Sequence, residues 1–123
     1  MAVLVFTENW DGKFKKLSFE LVSYASKLAE MADTQTVALS IGDVEEDELK
    51  QLGDYGAEKI VSVNQDNLKQ LDNQAYTSVI EQVANNEGAN LIVVAHNNVG
   101  KALAPRLSAR LKAALGSEVN ELP

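Results

Sequence analysis

The sequence predicts an α/β domain with a mainly parallel sheet in the strand order 3-2-1-4, extended by a fifth strand and covered by helices on both faces. Two observations support this fold class. Short apolar runs alternate with segments whose apolar residues recur at helical spacing, which is the pattern of parallel strands joined by right-handed crossovers. The first run, Ala2–Phe6, is apolar throughout, which indicates a central strand rather than an edge strand.

The segments after strand one define a loop, a helix, a second strand and a second helix. Thr7–Lys16 is predicted to be a polar loop with a turn signal at Asp11-Gly12. An apolar stripe at helical spacing follows, made of Leu17, Leu21, Ala25, Leu28 and Ala32. Strand two, Thr36–Ile41, precedes the acidic run Glu45–Glu48, which suits a helix N-terminus and is expected to be solvated there. This helix ends near Tyr55-Gly56, because glycine supplies a left-handed cap.

The second half of the chain continues the alternation. Strand three is Ile60–Val63, and the third helix carries the stripe Tyr76, Val79, Ile80, Val83 and Ala84. Strand four, Asn90–Ala95, is followed by a loop and by a fourth helix that starts near Gly100, because Pro105 is tolerated only in a first turn. Residues 1–115 form the expected core of one three-layer domain. Residues 116–123 are the start of a further strand, Ser117–Leu122, or a frayed tail.

Composition narrows the functional classes. The 18 acidic and 11 basic residues give a net charge of −7, which argues against nucleic acid as a partner. The absence of cysteine excludes disulfides and thiolate metal sites and fits a reducing compartment. No apolar run approaches the roughly 18 residues of a membrane span. We therefore expect a soluble, cytoplasmic protein without membrane insertion.

The loop after strand four is the first place to seek a ligand. Open α/β sheets bind ligands at the carboxyl ends of strands where the strand order reverses, and a helix N-terminus favours anions. In the order 3-2-1-4, the loops after strands one and four meet at that point. The predicted weak, vestigial anion or nucleotide crevice is lined by Thr7, Glu8, His96, Asn97, Gly100 and Lys101.

Known nucleotide and catalytic motifs are incomplete in this region. Thr7–Gly12 lacks the spaced glycines of a dinucleotide fingerprint. Ala95–Ala102 resembles a degenerate phosphate loop, but alanine replaces both the first glycine and the Ser/Thr that binds magnesium. His96 is the only histidine, so neither a histidine zinc cluster nor a catalytic triad is indicated. Glu8 and His96 are a candidate acid/base pair, although loop capping or solvation of each is the favoured interpretation.

Surface residues offer weak candidates for contacts with a partner. Trp10, the Asp11–Lys16 loop and the cationic helix face around Arg106 and Arg110 combine aromatic and basic groups that are enriched at interfaces. For each residue taken singly, a solvated surface position is the favoured interpretation. We predict no catalytic residue and no metal site.

Several segments together resemble the electron transfer flavoprotein alpha subunit. The opening resembles it at Val3–Phe6, Glu8, Gly12–Lys15, Ser18, Glu20-Leu21 and Ala25, and so does the later segment Tyr55–Ile60. The most specific similarity is Gly100–Leu111, a characteristic helix start in which an acid often stands where this chain has Ala102. Ser117–Val119 follows with Glu118 for the more usual Asp. The resemblance covers essentially all of residues 1–123.

The resemblance implies a Rossmann-like fold of the adenine nucleotide alpha hydrolase type and a role in electron transfer. Members of the family carry FAD on a second, carboxyl-terminal domain and pair with a beta subunit that holds AMP. Their complex moves electrons from dehydrogenases toward a quinone reductase. The resemblance thus implies an N-terminal structural and subunit-interaction domain that is a piece of a longer protein, without catalysis and without flavin in this span.

The residues leave two other functions open. A stand-alone adenine-nucleotide-binding module of the universal-stress-protein type would use the same crevice. It requires a glycine-rich cradle after strand four, where Asn97-Asn98-Val99-Gly100 supplies one glycine. An enzyme built on Glu8 and His96 rests only on their expected proximity.

Overall fold

The computed structural model describes residues 2–64, 73–95 and 118–122. Strands and helices alternate, apart from a small hairpin after the first strand. In chain order the elements are β1 (Ala2–Thr7), β2 (Asn9–Trp10), β3 (Lys13–Phe14), α1 (Lys16–Met31), β4 (Gln35–Ile41), α2 (Glu46–Asp54), β5 (Lys59–Val63), α3 (Asn73–Glu87), β6 (Ala89–Ala95) and β7 (Glu118–Leu122). The predicted fourth helix lies outside the described residues.

The main sheet has five strands in the order β5-β4-β1-β6-β7. Every neighbouring pair in it is parallel. This order equals 3-2-1-4-5 in the numbering predicted from the sequence, so the predicted topology is confirmed, including the strand near the end of the chain. All six residues of β1 are buried, as expected of a central strand between two partners.

Side chains alternate between the two faces of the sheet and pack against different helices. On one face, Leu4 and Phe6 of β1 belong to a buried cluster with Ile80 and Ala84 of α3. On the other face, Val3 and Val5 of β1 belong to a second cluster, which contains Leu21 and Val22 of α1 and Leu52 of α2. The predicted three-layer arrangement follows directly from this period-two alternation of a strand that is buried on both sides.

The apolar stripe of α1 differs from the predicted one at its end. Leu21 and Ala25 are buried as predicted, but Ala29 is buried in the last turn and Ala32 is an exposed C-cap residue. The predicted stripe steps by four, four, three and four residues and so stays on one side of the helix. Ala32 is exposed because it follows the last helical residue, Met31. The predicted stripe of α3 is confirmed, with Ile80, Val83 and Ala84 buried and Tyr76 and Val79 partly buried.

The predicted glycine cap of α2 is confirmed. The amide of Ala57 donates to the carbonyl of Leu52 at 3.3 Å, and that of Gly56 donates to Gly53 at 3.2 Å, which is the Schellman arrangement. Gly56 has a φ of +121°. A Cβ atom there would also lie 2.5 Å from the hydroxyl oxygen of Ser26, so α1 packs against this turn too closely for a side chain.

The predicted polar loop after strand one contains a β-hairpin. Thr7 extends β1, and Asn9 and Trp10 pair antiparallel with Phe14 and Lys13. The turn between them is Asp11-Gly12, with φ values of 51° and 80°. Two consecutive positive φ angles are typical of the tight type I′ hairpin turn. The turn signal was therefore right, whereas the prediction of a polar loop over Thr7–Lys16 missed the two short strands on either side of the turn.

Within the part of the chain that the structure describes, no helix is long and apolar enough to cross a membrane.

Candidate functional site

Thr7 ends the central strand at the carboxyl edge of the sheet, where the crevice is predicted. Its side chain is fully buried, and its hydroxyl donates a 2.8 Å hydrogen bond to the carbonyl oxygen of Leu39 in β4. This bond bridges two neighbouring strands and uses the only proton of the hydroxyl group. Thr7 therefore stabilises the sheet edge and offers no free donor to a ligand.

Glu8 follows at the start of the hairpin and is half-buried. Its carbonyl oxygen accepts a 2.8 Å hydrogen bond from the hydroxyl of Ser18, which fixes the first turn of α1 against the end of β1. Its carboxylate lies near Tyr76 of α3. Burial raises the pKa of the Tyr76 phenol above its usual value, and the negative charge of Glu8 raises this pKa further.

Tyr76 of α3 lies at the carboxyl edge of the sheet, although the sequence pattern assigned it only to the apolar stripe of the third helix. Its ring packs edge-on against Phe6 of β1, with ring centroids 5.9 Å apart and an interplanar angle of 81°. An apolar ring with a polar hydroxyl is suited to a position between core and crevice. The sequence signal for this position was that the first residue of the apolar stripe of α3 carries a hydroxyl group.

The structure describes Thr7 and Glu8 but not the other residues of the predicted crevice. His96, Asn97, Gly100 and Lys101 lie outside the described residues, as do Arg106 and Arg110 of the predicted cationic helix face. The proposed pairing of Glu8 with His96 therefore stays a prediction. Among residues 2–64, 73–95 and 118–122, no group of three or more His, Cys, Asp or Glu side chains is arranged to hold a metal ion.

The hairpin beside this edge is attached to β4 and α2 by specific polar contacts. The side-chain amide of Asn9 donates to the carbonyl of Ile41 at 2.9 Å, and its oxygen accepts from the amide of Gly12 at 3.3 Å. The amide of Phe14 donates to Glu48 Oε2 at 2.9 Å. Glu48 belongs to the acidic run that we expected to be solvated, and for this residue the expectation was wrong.

The attachment of the hairpin has a physical cause that composition does not show. The carboxylate of Glu48 lies in the first turn of α2, where negative charge is favourable, and it accepts a hydrogen bond from the Phe14 amide of a two-residue strand. The hairpin presents Trp10 with 63% of its surface exposed, and the Lys15 ammonium lies 4.7 Å from the centre of the indole ring. An exposed, fixed indole agrees with the predicted surface position of Trp10.

Solved structures share this architecture. The universal stress protein of Archaeoglobus fulgidus matches with a TM-score of 0.64 at 11% identity, covering 100% of this chain and 93% of that chain. A structure of the universal stress protein from Archaeoglobus fulgidus in complex with dAMP matches with a TM-score of 0.61 at 12% identity, covering 100% and 98%. At such low identity the likeness shows the fold alone, which is that of the universal stress proteins.

Sequence comparison shows the family to which the chain belongs. The chain belongs to the electron transfer flavoprotein domain family, whose model matches residues 3–123. The acryloyl-CoA reductase electron transfer subunit beta of Anaerotignum propionicum is 33% identical over 120 residues, which are 98% of this chain and 33% of the relative. The electron transfer flavoprotein subunit alpha of Bacillus subtilis is 28% identical over 116 residues, covering 94% and 35%. The predicted resemblance to the alpha subunit is confirmed, and the chain spans about a third of the length of these relatives.

Proposed function

We propose that this chain is the N-terminal structural and subunit-interaction domain of an electron transfer flavoprotein alpha subunit. In a heterodimer with the beta subunit, the complete protein carries electrons from dehydrogenases by way of FAD. The observation that carries the proposal is the family match across residues 3–123. Relatives named for electron transfer, including the electron transfer flavoprotein subunit alpha of Clostridium acetobutylicum, support an electron carrier rather than an enzyme.

The described residues do not fit a flavin at the carboxyl edge of the sheet. A bound dinucleotide needs free donors and a close backbone approach for its pyrophosphate. Here the Thr7 hydroxyl donates to Leu39, and Gly12 faces the carbonyl of Asp43, which would lie 2.7 Å from an added Cβ atom. The glycine is thus used for packing inside the protein and not for contact with a phosphate. We place FAD outside this span and the role of this domain in subunit contacts.

The test combines absorbance with subunit binding. The purified chain is mixed with FAD, separated from free flavin and examined for visible absorbance. It is then mixed with the beta subunit of the same organism and analysed by size-exclusion chromatography. We expect no retained flavin and co-elution with the subunit. Stoichiometric flavin retention would contradict the first expectation, and separate elution would contradict the second.

A nucleotide titration separates this proposal from a stand-alone adenine-nucleotide module. The likeness to universal stress proteins, one of them solved in complex with dAMP, extends to the fold only. We expect calorimetry with AMP and ATP to give weak binding or none. Micromolar or tighter affinity for AMP would favour the stand-alone module.

A further inference from the structure

The outer face of α1 and the end of α2 form an open groove of about 550 Å³. This groove lies on the side of α1 away from the sheet and is distinct from the crevice at the carboxyl edge. Its lining combines aromatic and charged side chains, namely Lys16, Phe19, Glu20, Tyr24, Lys27 and Tyr55. We call it the aromatic groove. Pockets of this size are large enough to accept several side chains of a partner.

Two of the three aromatic rings that line the groove, those of Phe19 and Tyr55, are stacked on each other in the unbound chain. Phe19 and Tyr55 stack with centroids 4.6 Å apart and an interplanar angle of 26°. Phe14 of the hairpin packs edge-on against Phe19 at 6.1 Å. Tyr55 is the C-cap of α2, next to the glycine turn that packs against Ser26, and it is still 47% exposed. Rigid, exposed aromatic rings lose little conformational entropy on binding, which is a property of interface hot spots.

The charge around the aromatic groove is opposite to that of the chain. The chain carries a net charge of −7, yet the groove has two lysines, Lys16 and Lys27, against one acid, Glu20. On the hairpin beside the exposed Trp10, Lys13 and Lys15 are accompanied by one acid, Asp11, so the excess of positive charge continues there. A locally basic surface on an acidic protein attracts acidic partners and orients them.

We infer that the aromatic groove and the adjoining hairpin dock an acidic segment of the beta subunit that also presents apolar side chains. The apolar side chains of that segment contact Phe19, Tyr24 and Tyr55, and its carboxylates pair with Lys16 and Lys27. This inference rests on the proposed function, because it assigns a surface to the subunit partner named there.

Charge reversal tests the electrostatic part with a matched control. Lys16 and Lys50 are both exposed and each pairs with a glutamate one turn away, Glu20 at 3.8 Å and Glu46 at 3.9 Å. Only Lys16 lines the groove. We expect K16E to weaken binding of the purified beta subunit about threefold and K16E/K27E about tenfold at low salt, with smaller effects at high salt, whereas K50E leaves binding unchanged. Equal effects of K16E/K27E and K50E would overturn the inference.

Truncation of the rings tests the apolar part. We expect Tyr55→Ala to weaken binding about 10- to 100-fold, and Tyr55→Phe to preserve it because the stack on Phe19 is kept. Met31→Ala is the control, since Met31 lies on α1, is 84% exposed and does not line the groove. Circular dichroism and urea unfolding of each variant separate lost binding from lost folding. The charge variants lie at exposed positions and keep the test decisive if Tyr55→Ala unfolds.

The outcomes distinguish the two proposals. If the unmodified chain does not bind the beta subunit, the proposed function fails and the inference fails with it. If the unmodified chain binds and the groove variants bind equally well, the inference alone fails. Groove substitutions that change self-association in sedimentation experiments, while leaving subunit binding intact, would show a contact between copies and would also overturn it.

Discussion

The central strand and the hairpin that follows it are neighbours in sequence but are held in place by different forces. All six residues of β1 are buried, and the strand pairs on both sides, with β4 and β6. The hairpin has two strands of two residues each and an exposed tryptophan. It is attached through hydrogen bonds from Asn9 to Ile41 and from Phe14 to Glu48.

This difference shows how stability is distributed at the carboxyl edge of the sheet. Burial of apolar surface contributes about 25 cal/mol per Å² to the free energy of folding. The stabilisation of β1 is therefore distributed over many atoms in the two buried clusters. A single hydrogen bond contributes about 1 kcal/mol, so the attachment of the hairpin to the rest of the protein depends on a few donor and acceptor atoms. Changes in β1 should therefore affect the whole fold, whereas changes in the hairpin should affect a local segment.

The largest effect is expected in β1. Leu4 is fully buried in the cluster that contains Ile80 of α3, and Leu4→Ala leaves a cavity there. We expect a loss of about 2–5 kcal/mol in the free energy of unfolding, measured by urea denaturation. Amide exchange should accelerate together in β1, β4 and β6. Acceleration confined to β1 would show that the sheet is not one cooperative unit.

A smaller, local effect is expected at the hairpin turn. Gly12 has a φ of +80°, and a Cβ atom would lie 2.7 Å from the carbonyl oxygen of Asp43. We expect Gly12→Ala to cost about 1–3 kcal/mol and to accelerate amide exchange mainly in the hairpin. Gly53→Ala is the matched control, because Gly53 lies inside α2 and an added Cβ meets no atom within 4 Å. It should stabilise the protein by about 0.5–1 kcal/mol, and the same sign for both changes would contradict this account.

The bond from Phe14 to Glu48 gives a third comparison. Glu46 and Glu48 both lie in the first turn of α2, but only Glu48 is shown accepting the Phe14 amide. Replacement of either by Ala removes a similar helix-dipole contribution and one exposed contact within α2, that of Glu46 with Lys50 at 3.9 Å or that of Glu48 with Gln51 at 3.0 Å, so the main remaining difference is the hairpin bond. We expect Glu48→Ala to cost about 1 kcal/mol more than Glu46→Ala and to accelerate exchange of the Phe14 amide. Equal exchange rates in the two variants would refute a role for this bond.

The same contrast explains which features the sequence could predict. Ala2–Phe6 is uniformly apolar, and this composition alone placed it at the centre of the sheet. The hairpin could not be predicted beyond its turn, because Asn9 and Phe14 find their partners 32 and 34 residues away. The acidic run was correctly placed at a helix N-terminus, but the composition of that run does not distinguish Glu48 from its solvated neighbours.

Prediction of the candidate site had a similar limit. Thr7 was predicted to line the crevice as the first residue of the loop after strand one. In the structure it is the last residue of β1, and its hydroxyl donates to the carbonyl of Leu39 in the parallel partner β4 at 2.8 Å, a contact that the sequence does not indicate. Tyr76 was assigned to the core by its spacing, and its nearness to Glu8 depends on the position of α3 over β1. Spacing predicts which face of an element is buried, but it does not give the distance between two elements.

The smallest expected effect is a pH dependence at this edge. Burial is the main cause that raises the Tyr76 pKa above its ordinary value of 10.0, and the Glu8 charge adds to it. The unfolded chain therefore releases this proton at lower pH than the folded chain. The stabilising contribution is fully present below pH 10 and is lost as the pH rises through the folded pKa.

We expect the free energy of unfolding to fall more steeply above pH 10 in the unmodified protein than in Tyr76→Phe. Glu8→Gln should show an intermediate slope, because burial remains when the charge is removed. Absorbance titration of the phenolate gives the pKa directly, and an unchanged value in Glu8→Gln would show that the carboxylate does not act on Tyr76.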